Sequence, residues 1–99
     1  MKHNLNGNRY EIVYVDELID EDKEECYGLC DAPTEPNKKI RIKRGLPSDM
    51  LLNVALHECL HGCLWCLSED TVEQVATDLS KMLIKELGIE KAPASPNGN

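Results

Sequence analysis

Residues 48–66 read SDMLLNVALHECLHGCLWC, and the rest of the chain is best interpreted outward from this stretch. Ser48 and Asp49 are suited to cap the free amides of a first helical turn. Gly45 and Pro47, just upstream, are typical of a change from sheet to helix. We therefore predict that a first helix spans residues 48–66.

A second helix is predicted to follow Ser68, a typical N-cap residue. Glu69 and Asp70 then fall in the first turn, where the helix dipole favours acidic side chains. Gly88 is expected to end the helix, because glycine readily adopts a left-handed conformation. The apolar residues between these ends recur at 3.6-residue spacing: Val72, Val75, Ala76, Leu79, Met82 and Leu83.

Three short strands are predicted before the helices. Residues 10–15 are almost all β-branched or aromatic, and residues 39–43 alternate isoleucine with lysine and arginine. The charged face of 39–43 is typical of an exposed edge strand. Residues 26–31 are the remaining candidate strand. The predicted fold class is therefore α+β: a small three-stranded antiparallel sheet followed by two packed helices.

The other segments are predicted to lack regular structure. Residues 16–25 carry seven of the eighteen acids, and mutual repulsion favours an exposed loop or short helix. Residues 32–37 contain two prolines and are interpreted as a turn. Residues 91–99 have nothing to bury, which predicts a disordered tail. The domain prediction is thus a single domain over 1–90 with a tail over 91–99.

Composition limits the classes of function. The chain has 99 residues and a net charge of −7, and its pI near 4.8 argues against nucleic acid as a main partner. No apolar run approaches the roughly 18 residues that span a bilayer, and the N-terminus lacks an export signal. We therefore expect a cytoplasmic protein without a membrane partner, whose five cysteines are reduced thiols.

The chemistry of the first helix lies in His57-Glu58-Cys59-Leu60-His61, an HExxH motif. Histidines four residues apart project from one helix face, so both imidazoles can bind a single Zn²⁺. Glu58 lies about 100° round the helix, where it can act as a general base on water. A chain of this composition contains HExxH by chance in roughly 1% of cases. The alternative is that both histidines only belong to a polar helix face.

A zinc site needs a third protein ligand, and no histidine follows His61. If the two helices pack antiparallel about a turn near residue 68, Glu73 is nearly level with the histidines. Glu69 would then lie about 9 Å away along the axis, and Asp78 would point elsewhere. Glu73 is therefore the predicted third ligand, with Glu69 and Asp78 as alternatives. Glu73 as an ordinary solvated acid is the competing interpretation.

The cysteines are interpreted mainly as core residues. Cys59, Cys63 and Cys66 are turned away from the histidines and share a helix face with several leucines. A redox or zinc-binding role for the CxxC at 63–66 is the weaker interpretation. Cys26 and Cys30 remain a minor alternative as a pair of thiolate ligands.

HExxH followed by an acid on the next helix resembles the gluzincin type of zincin metallopeptidase. Residues 46–87, preceded by a small sheet, are similar to very short phage and prophage metallopeptidase-like proteins, thought to be related to the ImmA/IrrE and SprT-like groups. The resemblance implies a minimal zincin-like fold and location in a host-cell cytoplasm if the protein is phage-encoded. It also implies zinc bound by His57, His61 and Glu73, with Glu58 as the catalytic base.

The same resemblance implies that an extended substrate pairs with the edge strand beside the active helix, which is expected at residues 39–43. The cations of that strand would then favour acidic peptides, unless they serve only to protect the edge. Tyr10, Tyr14 and Tyr27 are candidates to stabilise the transition state, because no tyrosine or histidine follows the motif.

The leading functional prediction is a zinc-dependent metallopeptidase that hydrolyses a protein or peptide substrate. One alternative is a non-catalytic, zinc-stabilised protein-interaction module, since a small chain gains stability from a structural metal. Another is a metal-free acidic interaction protein in which HExxH is accidental.

Overall fold

The computed structural model describes residues 1–88, and it has the predicted α+β architecture. In chain order the elements are β1 (Lys2–Leu5), β2 (Asn8–Val15), β3 (Gly28–Cys30), β4 (Lys39–Lys43), α1 (Ser48–Cys63) and α2 (Glu69–Leu87). The tail predicted at 91–99 lies outside the described residues. Neither α1 nor α2 is both long and apolar enough to cross a bilayer.

The sheet has four strands in the order β1-β2-β4-β3, so the predicted three-stranded antiparallel sheet was only roughly right: it lacked one strand, and one of the three pairings is parallel. β1 pairs with β2 and β3 pairs with β4 in antiparallel fashion, whereas β2 and β4 are parallel. The polar sequence of β1 does not read as a strand. It joins the sheet through a hairpin at Asn6 and Gly7, which both have positive φ, as a type I′ turn requires.

β4 lies inside the sheet between β2 and β3, which corrects its prediction as an edge strand. Its alternation instead separates a core face, with Ile40 and Ile42 buried, from a face that carries Lys39, Arg41 and Lys43. Arg41 forms a 2.8 Å ion pair with Asp31, and the Lys43 ammonium lies 5.9 Å from the centre of the Tyr27 ring. The edge strands are therefore β1 and β3.

The core lies between the sheet and α1. Tyr10, Ile40, Ile42 and Leu46 form its buried centre, against which the sheet-facing residues of α1 pack: Leu51, Val54, Ala55 and Cys59. Gly62 continues this face, and a Cβ atom there would come within 3.0 Å of Leu5 and 3.2 Å of the Tyr10 ring. Glycine thus permits the close approach of α1 to the sheet.

All five cysteines are free thiols, as predicted, but they do not share one environment. Cys59 packs against the core, which confirms its interpretation as a small apolar residue. Cys66 is exposed, so its assignment to the core was wrong. The reason is that α1 ends at Cys63 and the chain has already left the helix at residue 66.

The two ends of α2 are those that the sequence predicts. The Ser68 hydroxyl accepts a hydrogen bond from the Thr71 amide at 3.2 Å, and Gly88 ends the helix with a φ of 69°. α1 begins at Ser48, as predicted, but its N-cap is Pro47, with no side-chain cap, and it stops three residues before the predicted limit of 66. The connection over 64–68 is consequently longer than expected.

We predict that Tyr10→Phe lowers the free energy of unfolding by about 1 kcal/mol. The Tyr10 side chain is 0% exposed, and its hydroxyl donates a 2.8 Å hydrogen bond to the Asp31 carbonyl, joining β2 to the end of β3. Urea unfolding followed by circular dichroism measures the change. Tyr27→Phe is the matched control, since Tyr27 is exposed. Equal losses in both variants would contradict this role of Tyr10.

Candidate metal centre

Three potential ligand side chains converge where the C-terminal half of α1 faces the start of α2. The Nε2 atoms of His57 and His61 lie 3.2 Å apart. The Glu69 carboxylate spans them, with Oε1 at 2.7 Å from His57 and Oε2 at 3.0 Å from His61. Within residues 1–88, no other three His, Cys, Asp or Glu side chains bring potential ligand atoms together in this way.

The arrangement fits a divalent cation. Zinc–ligand distances near 2.0–2.1 Å place the corners of a tetrahedron about 3.3 Å apart, close to the observed separations. Neutral imidazole has one acceptor nitrogen and carboxylate has only acceptors, so in the tautomer with both Nε2 atoms unprotonated the cluster presents lone pairs that a shared cation can accept. Two nitrogens and a carboxylate oxygen are also a ligand set that zinc accepts.

The acid that lies beside the two histidines is Glu69, not the predicted Glu73. That prediction assumed a helix reaching residue 66 and an antiparallel return centred near Ser68. Because α1 ends at Cys63, the first turn of α2 already lies beside the histidines. Glu73, one turn later, is exposed and outside the ligand group. The other alternative, Asp78, instead accepts a hydrogen bond from Gln74 at 3.1 Å.

Glu58 lies beside the ligand group without belonging to it, as its place in the motif predicts. Its residue exposure is only 7%, and its carboxylate has no hydrogen-bond or ion-pair partner in the described part of the chain. Burial, and to a smaller extent the charge of Glu69, raises the pKa of Glu58 to about 7. A cation at the ligand group would act in the opposite direction, favouring the carboxylate.

Gly28 of β3 makes room for Glu58, a role that the sequence interpretation missed. A Cβ atom on Gly28 would lie 2.7 Å from Glu58 Cγ, 2.8 Å from its Oε2 and 2.8 Å from Val54 Cγ1. Such contacts are too short for any side chain. A glycine inside a predicted strand was the available signal, because it often marks a close approach of another group.

A groove of about 870 Å³ opens in front of the ligand group. One wall is β3 with Cys26 and Tyr27 before it, and the other is the histidine-bearing face of α1. The acidic segment over 20–22 and the connection between the helices complete the lining, including Trp65. The groove is open, so both walls are accessible to an extended ligand.

The remaining candidates from the sequence occupy different positions. The Tyr10 hydroxyl is buried on Asp31, and Tyr14 is not part of the groove lining, whereas Tyr27 lines it and is 50% exposed. Cys26 and Cys30 also line the groove but lie outside the ligand group. Burial raises the pKa of Cys30 to about 12, which disfavours the thiolate form that binds metals.

No family model, curated protein or solved structure matches this chain. The resemblance to short phage zincins therefore stays a prediction that rests on the HExxH motif. The case for a metal centre rests on the geometry of its own side chains.

We predict that Glu69→Ala weakens zinc binding by more than about 100-fold, because it removes a direct ligand and even outer partners contribute roughly 10- to 100-fold. His57→Ala should have an effect at least as large. Competition with a chromogenic chelator measures the affinity. Glu73→Ala is the matched control, since it removes the same charge one helical turn away. If Glu73→Ala were the damaging variant, the ligand set described above would be wrong.

We predict that Gly28→Ala lowers the free energy of unfolding by about 1–3 kcal/mol, because the new methyl group must displace Glu58 and Val54. Gly62→Ala should cost less, since its Cβ would lie 3.0 Å from Leu5 and 3.2 Å from Tyr10, longer contacts than at Gly28, and alanine favours a helix by about 1 kcal/mol. Chemical denaturation of both variants tests the difference. A Gly28→Ala protein as stable as wild type would show that β3 and α1 do not approach so closely.

Proposed function

We propose that this protein is a zinc-dependent peptidase that hydrolyses peptide bonds in the groove between β3 and α1. The observation that carries the proposal is the convergence of His57, His61 and Glu69 beside the buried, unpartnered carboxylate of Glu58. A ligand group with an adjacent base at an accessible groove is what metal-assisted hydrolysis requires.

When bound, zinc would supply Lewis-acid chemistry, polarising a carbonyl and activating water near neutral pH. His57, His61 and Glu69 would hold the ion between the two helices. Glu58 would accept a proton from the attacking water and return it to the leaving amine. The packing of Glu58 against Gly28 keeps bulk water from one side of its side chain.

The peptide substrate is proposed to lie along β3, which replaces the predicted edge at 39–43. Tyr27 accepts from the Lys43 amide at 2.9 Å, and the Asp31 amide donates to Lys39 at 3.0 Å. Peptide groups alternate in direction along an antiparallel strand, so those of Gly28 and Cys30 face away from β4. An extended peptide could therefore pair with this edge inside the groove.

One observation favours the alternative of a zinc-stabilised interaction module without catalysis. The ligands come from both helices, so a bound metal would tie α1 to α2. Apart from the contacts of Glu69 with His57 and His61, the helices are linked by a modest hydrogen bond of 3.4 Å from Asn53 to Thr77. In this case the metal would stabilise the fold and Glu58 would have no chemical role.

We predict that Glu58→Gln keeps zinc affinity within a few-fold of wild type but lowers peptide hydrolysis by at least about 100-fold, because the amide cannot accept the proton. Mass spectrometry of an unfolded protein mixture incubated with the zinc-loaded enzyme measures cleavage. Glu24→Gln, which neutralises an exposed acid, is the control and should be fully active. Unchanged turnover in Glu58→Gln would refute the base assignment. A zinc-loaded wild type without hydrolysis would favour the interaction module.

A further inference from the structure

Within residues 1–88, acidic residues line the groove and basic residues do not. Its described lining contains no lysine or arginine, although the chain has eleven of them. Five acids line it: Asp20, Glu21, Asp22, Glu58 and Glu69. The first three lie outside the proposed metal site, so their charge remains when zinc is bound. A cleft lined by one sign of charge concentrates ligands of the opposite sign.

The acidic wall of the groove is the segment over 20–22, and hydrogen bonds within the loop shape it. Asp20 accepts hydrogen bonds through Oδ1 from the amides of Asp22 at 2.9 Å and Glu24 at 3.0 Å. These hydrogen bonds shape the turn over 20–24, while the side chains of Glu21 and Asp22 make no hydrogen bond or ion pair within residues 1–88. Their charges are therefore available to a ligand.

Two further features of the groove suit a cationic chain. Glu58 is more than nine-tenths buried and faces the groove without a partner for its carboxylate in the described chain. Trp65 is 46% exposed and lines the same groove. It lies beside the ligand group, since the ring centres of Trp65 and His61 are 6.2 Å apart. The face of an exposed indole attracts lysine and arginine side chains.

The structure also removes the reason for expecting an acidic substrate, which was the set of cations on the predicted edge strand at 39–43. The cations that suggested it belong to β4, which is an internal strand. Arg41 is paired with Asp31 and Arg44 with Asp16, and the Lys43 ammonium lies over the Tyr27 ring. These groups serve the fold and leave the acidic wall uncompensated.

We propose that the groove selects extended peptide segments rich in lysine and arginine, with Glu21, Asp22 and Trp65 as specificity-determining residues. The inference deepens the proposed function, because it assigns a substrate class to the same groove. The peptide backbone would pair with β3, and its cationic side chains would reach the acidic loop on one side and the indole on the other.

The test uses zinc-loaded protein and peptides of one length that carry lysine, glutamate or serine at the same positions. Binding is followed by the emission of Trp65, the single tryptophan of the chain, and by anisotropy of labelled peptides. The lysine peptide should bind most tightly, change the Trp65 emission and lose affinity as salt is raised. Equal binding of all three peptides, or preference for glutamate, would overturn the inference.

The paired variants separate a specific groove from a general effect of net charge. Glu21→Gln with Asp22→Asn should weaken binding of the lysine peptide by roughly 3- to 20-fold, with little effect on the serine peptide. Glu17→Gln with Glu24→Gln removes the same charge from exposed positions outside the groove lining and should change affinity by less than about 2-fold. Equal losses in both double variants would overturn the assignment to the groove.

Binding and cleavage of the same peptides keep this inference distinct from the peptidase proposal. Tight binding of the lysine peptide without hydrolysis would support the groove specificity while refuting the peptidase. Hydrolysis of all three peptides at equal efficiency would support the peptidase and overturn the specificity.

Discussion

The contact of one carboxylate with two imidazoles is the interaction on which the rest of this structure depends. Glu69 reaches both His57 and His61 because α1 stops at Cys63 and the chain returns within five residues. In the tautomer that leaves both Nε2 atoms unprotonated, the two imidazoles and the carboxylate present lone pairs to one point. A metal ion held there would join α1 to α2 through all three side chains.

The second constraint is the way α1 divides its surface. Its sheet-facing side must pack on the core, and Glu58 falls on that side, one position from His57. A carboxylate on that side ordinarily destabilises a core, since burial disfavours its charged form. Gly28 removes the steric conflict but supplies no hydrogen bond. Burying Glu58 therefore lowers the stability of the fold, but it also holds the carboxylate at the edge of the groove.

The sequence predicted those features that depend on neighbours in the chain. Helix spacing, the Ser68 cap, the Gly88 end and the placement of His57 and His61 on one face are local properties, and the structure has them. The order of the strands depends on pairings far apart in sequence, so the polar β1 and the internal position of β4 could not be read from alternation alone. Alternation reports one buried face, and it does not distinguish an edge from a central strand.

The third ligand shows how a small local error propagates. Extending α1 by three residues shifts the turn and moves the predicted partner from Glu69 to Glu73, one helical turn along α2. The Asn6-Gly7 pair and the glycine at 28 were signals for a hairpin and a close approach. The position of the acidic loop in the groove wall had no such signal, since a run of acids predicts solvation and not the surface that it will border.

The acidic wall also affects how the open edge of β3 interacts with other chains. An open strand edge invites pairing with other chains, including other copies of the same protein. β3 is only three residues long, and the segment over 20–22 places negative charge beside it on a chain whose net charge is −7. A second copy is repelled by that charge, whereas a cationic peptide is attracted by it. One distribution of charge can thus discourage self-association at the groove and favour the ligand that we infer for it.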